Sequence, residues 1–134
     1  MRILAILLCA ALLTGQLAQA RSHSSRVTTQ TRHTPARAML DTLDSMTLML
    51  NRVQNKVTAD AAAPTLLTQH KEYQLQRAAA DNMPEMPEPA LTLHLDRLDN
   101  SMNKFRLICV HLLQEKCYGS SRLGEAIRKV IQDF

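Results

Sequence analysis

A chain of 134 residues, 46% of them hydrophobic, with no Trp and only two Tyr and two Phe, is long enough for one domain with a modest core. The net charge of +4 comes from 16 Lys and Arg against 12 Asp and Glu, and three glycines leave no Gly-rich loop of the kind that cradles phosphate. The charge is uneven: Arg21, Arg26, Arg32 and Arg37 lie in a stretch without acids, and beyond Arg37 the count is 11 basic against 12 acidic, which argues against a basic nucleic-acid surface on the domain.

Residues 1–20 read as a secretory signal peptide. Arg2 precedes the apolar run Ile3–Leu13, and Ala18-Gln19-Ala20 has the small-residue pattern of a cleavage site. The run is shorter than the roughly 20 apolar residues of a membrane span, and no later stretch approaches that length. The expectation is a secreted, extracellular protein without a membrane span. Residues 21–34 are rich in Ser, Thr and Arg, with Val27 as the one large apolar side chain. Such a segment buries too little surface to offset its ordering entropy, so it reads as a disordered basic arm whose electrostatic residues are Arg21, Arg26, Arg32 and Arg37.

The helical domain is expected over 35–134. Thr34 followed by Pro35 is a helix start, with Thr as N-cap and Pro where its missing N–H costs nothing. Met39, Leu43, Met46, Leu50, Val53 and Val57 follow at alternating steps of four and three, the spacing of one buried helix stripe. The predicted helix runs over Pro35–Ala59 and stops ahead of Pro64. A shorter helix with a thin apolar face is predicted near Thr65–Asp81. The prolines at 84, 87 and 89 then make a stiff extended connector.

The longest periodic stretch follows, over Ala90–Cys117. Leu91, Leu95, Leu98, Met102, Phe105, Cys109 and Leu112 keep the four-three step throughout. Tyr118-Gly119-Ser120-Ser121 reads as a C-cap glycine and then an N-cap serine. The last predicted helix is Ser121–Phe134, with Leu123, Ile127, Val130 and Phe134 on its stripe. The fold expected is an all-α small bundle of two long and two shorter amphipathic helices. The two long ones pack antiparallel at about 20°.

With Cys9 in the signal peptide, Cys109 and Cys117 remain, an even number in an oxidising compartment. Eight residues of continuous helix would separate their Cα atoms by about 12 Å, beyond the roughly 4.4–6.8 Å of a disulfide. Three arrangements stay open: the helix unwinds before Cys117 and the pair bonds, one or both bond a second molecule, or both stay reduced.

Catalytic patterns are missing. His23, His33, His70, His94 and His111 form no H-x-x-x-H pair, and no Cys pair has zinc-site spacing. Cys109 and His111 would project about 200° apart on a helix and could not act together. The reading is a non-enzyme without metal or cofactor. Function is then expected to be contact with an extracellular protein, as in cytokine-like, seminal-fluid or salivary effectors, with a homodimer through the stripes or Cys117 as one form of contact. The alternative is an extracellular carrier holding a small lipophilic ligand between helices, in which Met39, Met46 and Met102 supply adaptable lining.

Overall fold

The computed structural model describes residues 34–134, and these are all-helical. The signal peptide expected over 1–20 and the arm residues Arg21, Arg26 and Arg32 lie outside the described residues. Four α-helices follow in order: α1 (Pro35–Asn51), α2 (Lys56–Asp81), α3 (Glu88–Gln114) and α4 (Ser121–Ile131). A short left-handed turn over Lys116–Gly119 joins the last two.

In α1, Thr34 is the N-cap, its Oγ1 accepting from the Arg37 backbone N–H at 3.4 Å, and Pro35 occupies the first turn. Arg37 is thus an exposed residue of this first turn and not part of an arm. Met39, Leu43, Met46 and Leu50 are buried along one face.

The helix ends at Asn51, eight residues before the expected Ala59. A competing start signal explains the difference. Asn55 and Thr58 form a reciprocal capping box: the Thr58 backbone N–H donates to Asn55 Oδ1 at 3.0 Å, and the Asn55 N–H donates to Thr58 Oγ1 at 3.2 Å. The chain therefore reverses after Val53, which stays buried, while Val57, the next residue on the predicted stripe, is 78% exposed.

After the reversal, α2 returns antiparallel along α1, as the hydrogen bonds Thr42–Gln76 and Gln69–Ser45 show. Ala59, Ala62 and Ala63 are buried on it, and such small side chains let two helix backbones approach closely. Pro64, expected to stop a helix, sits inside α2. It costs that helix one hydrogen bond. It lies on the exposed face, and burial of Leu66, His70 and Tyr73 beyond it carries the helix onward to Asp81, so the short helix expected at Thr65–Asp81 is the second part of a 26-residue one.

Packing forms a ring. α1 packs against α2 and α3, α4 packs against α2 and α3, and the pairs α2/α3 and α1/α4 face each other across the diagonals. Ala36 and Met39 at the start of α1 share a cleft with Leu91 and Leu95 at the start of α3, while Ser120, just past the end of α3, bonds Asp60 at the start of α2, next to the end of α1, so α1 and α3 run parallel. This corrects the antiparallel pairing expected for the two long helices. The antiparallel partner of α1 is α2, because the Asn55 cap turns the chain back at once, and the connector 83–87 then crosses the bundle before α3 descends.

The end of α3 also differs. The helix stops at Gln114, and Lys116, Cys117 and Tyr118 take left-handed backbone angles (φ 51°, 50° and 51°) before Gly119 at φ 84°. Left-handed conformation costs a non-glycine residue about 1–2 kcal/mol. The turn brings Cys117 into the core and sets Ser120 as the N-cap of α4, where its Oγ accepts from Leu123 N–H at 3.1 Å and donates to Asp60 Oδ1 at 2.6 Å. Helix α4 runs only to Ile131, with Leu123, Ile127 and Val130 buried.

Candidate functional site

The helix lengths leave one end of the bundle short of a wall. α2 and α3 have 26 and 27 residues and α4 has 11, or about 40 Å against about 16 Å at 1.5 Å per residue. α4 starts beside Asp60 and its chain has reached Tyr73 by Phe134, so it covers the first part of α2 and no more. Where it stops, a cleft of about 660 Å³ opens between α1, α2 and α3 under the connector.

Each element contributes a distinct kind of wall. α1 supplies Ala36 and Met39, the connector supplies Met83, Pro84 and Met86, and α3 supplies Leu91, Leu95, Leu98 and Met102. The sequence placed these α3 residues on a fully buried stripe. Leu91 and Leu95 are instead 37% and 49% exposed, and Leu98 and Met102 are half-buried. Burial of the stripe begins at Phe105 and continues through Cys109 and Leu112, the part that α4 reaches.

The floor is aromatic. Phe134 lies 4.9 Å from Tyr73, 5.3 Å from Phe105 and 5.9 Å from His70, measured between ring centroids, with tilted planes. Arg106 holds it from outside by donating to the Phe134 carbonyl at 3.3 Å. No protein-family model, curated protein or solved structure matches the chain.

On α2 the lining is Ala80 together with Tyr73, Arg77 and Asp81, which recur every fourth residue and share one face. Burial holds the Tyr73 phenol above its ordinary value, while the Arg77 charge pulls it down and the Asp81 charge pushes it up. Both charges therefore act on the hydroxyl. Among the described residues, no carboxylate lies within 4.0 Å of the Arg77 guanidinium. Glu85 and His94 complete the polar rim.

Beneath the floor, His70 is buried and stands 3.5 Å from Asp133 without forming a hydrogen bond. Desolvation pulls its pKa below the ordinary 6.5, Asp133 partly opposes this, and Lys129 adds to it. A histidine whose folded pKa is depressed is fully tolerated above the unfolded value. As pH falls through 6.5 the unfolded chain takes up the proton first, and stability is lost until the folded value is passed. Thermal melts between pH 7.5 and 5.5 should show a falling midpoint, and His70→Gln should flatten the profile; an unchanged slope in the variant would remove His70 as its source.

The two cysteines are brought onto the same core, away from the cleft. Both thiols are free and buried, so the intrachain bond between them is not formed. Cys117 is 2% exposed and could reach another molecule only if its turn opened. Burial and the neighbouring Cys117 push Cys109 up to about 12, and burial raises Cys117 against the pull of Arg128. A thiol at that value is ionised to about one part in ten thousand at pH 8. Ellman's reagent at pH 8 is accordingly expected to leave Cys109 unmodified in native buffer and to modify it within minutes in 6 M guanidinium.

Among the described residues, no three His, Cys, Asp or Glu side chains are grouped to hold a metal ion, and no helix is long and apolar enough to cross a membrane. Sequence reasoning passed over Tyr73 and Arg77, on a helix with a thin apolar face, and over Met83 and Met86 in the connector. One usable signal was present: Tyr73, Arg77 and Asp81 recur every fourth residue and so share one helix face.

Proposed function

We propose that this is a secreted, non-enzymatic protein that works by binding, and that it carries a small lipophilic ligand in the cleft between α1, α2 and α3. The observation that supports this reading is the cleft itself: it has the size of small-molecule sites, roughly 300–1,000 Å³, and is walled largely by Leu, Met and Ala, with Arg77, Asp81, Glu85 and His94 among its charged or polar groups. Methionines at 39, 83, 86 and 102 can adjust to ligands of different shape. The reading of residues 1–20 as a signal peptide supports export.

Contact with an extracellular protein is the second reading. It is favoured by α3 outside the cleft, where Leu107 and Val110 stand exposed one turn apart. The two readings differ in a measurable way. Native mass spectrometry of protein purified from its source should show a bound lipid-sized mass, lost in Leu95→Asp, which places a charge on the cleft wall at an exposed position. An apo mass in both forms, together with crosslinks that appear only when a partner protein is added, would replace the carrier with the contact reading.

A further inference from the structure

The cleft is bounded at both ends, by the connector above and by Phe134 below. From Tyr73 to Asp81 its α2 wall is nine residues, about 12 Å of helix rise, which is short for a partner helix and leaves such a helix no open end to enter by. A second copy of the chain fits poorly as well. Within the cleft, the exposed parts of Met83, Leu91 and Leu95 amount to on the order of 200 Å², against about 800 Å² per partner in a stable dimer, so the cleft by itself does not hold a second copy. A small flexible molecule is the occupant that the dimensions allow.

Charge narrows its chemistry. Arg77 is a cation on the cleft wall without a carboxylate partner among the described residues, and one turn deeper stands the hydroxyl of the buried Tyr73. Both are donors, and an arginine paired with a carboxylate makes the stronger, charge-assisted kind of hydrogen bond. Asp81 and Glu85 line the cleft farther toward the connector, where they would repel an anion, so an acidic head is favoured near Arg77 and disfavoured beyond it. The facing wall on α3 is apolar along Leu91, Leu95, Leu98 and Met102, with His94 as its one polar residue.

We propose that the cleft takes a single-chain lipophilic carboxylic acid, its carboxylate accepting from Arg77 and the Tyr73 hydroxyl and its chain lying along the α3 leucines. The proposal rests on the carrier reading and names its ligand class. Dodecanoic acid and 1-dodecanol share a chain length and differ in the head, so calorimetric titration of protein recovered from expression of the full 134-residue sequence separates the two questions. Arg77→Gln should weaken dodecanoic acid about tenfold and leave dodecanol within about twofold. Tyr73→Phe should weaken the acid by about threefold, and Asp81→Asn should tighten it by about twofold. Arg77 is exposed and unpaired by any described carboxylate, so the melting temperature of Arg77→Gln should match that of the parent. Equal binding of acid and alcohol, with no change in Arg77→Gln, overturns the acid and leaves the carrier standing. Absence of binding by either ligand at micromolar levels overturns both. Displacement of the acid by an amphipathic helical peptide, with a peptide affinity insensitive to Arg77→Gln, overturns the acid as the occupant.

Discussion

Replacing Phe105 by alanine is expected to lower stability by about 3–5 kcal/mol, the range for losing a buried aromatic ring. Phe105 is 1% exposed and faces Phe134, which in turn meets Tyr73 and His70. It stands at the level where α4 gives out, with the four-helix core on one side and the cleft on the other. The cavity left by the missing ring would be walled by rings anchored on α2 and by Phe134, and these cannot all move in to fill it. Leu95→Ala, ten residues earlier on the same predicted stripe, should cost less than about 1 kcal/mol, because Leu95 is already half in water. Urea denaturation of both variants measures the contrast. Comparable losses at the two positions would mean that the upper part of α3 is covered in solution and that the cleft is closed.

Ser120→Ala is expected to cost about 2–3 kcal/mol, more than an ordinary helix cap, because two interactions end together. Ser120 is buried, and its Oγ both caps α4 through Leu123 N–H and satisfies the carboxylate of Asp60, which is partly buried on α2. Removal leaves that carboxylate without its partner. Thr34→Ala, which loses an exposed cap of 3.4 Å, should cost only about 0.5–1 kcal/mol. A double-mutant cycle between Ser120→Ala and Asp60→Ala separates the parts: coupling above about 1 kcal/mol supports the inter-helix bond, and additivity would reduce Ser120 to a simple cap.

Much of the helix content was legible because periodicity and capping are local. Thr34-Pro35 opens α1, Ser120 opens α4 after Gly119, and the Pro-rich connector separates α2 from α3, all within one or two residues of their sequence positions. The errors also have local causes that lost to other terms. Pro64 predicted a stop, but a helix held by buried Leu66, His70 and Tyr73 runs through it. The four-three stripe predicted continuity through Val57, but the Asn55–Thr58 capping box begins a new helix there. Good helix formers before Cys117 predicted α3 to its end, but the left-handed turn lets Cys117 and Ser120 be buried.

The sequence by itself determined that this chain makes amphipathic helices and which residues share each face, since a 3.6-residue period and a capping side chain act over a few residues and need no partner. Only the tertiary structure decided which of those faces meet. Leu95 and Phe105 are alike in periodicity, yet one lines a cleft and the other is core, because α4 is long enough to reach Phe105 and too short to reach Leu95. Burial depends on what lies opposite in space, and along the chain that partner can be dozens of residues away.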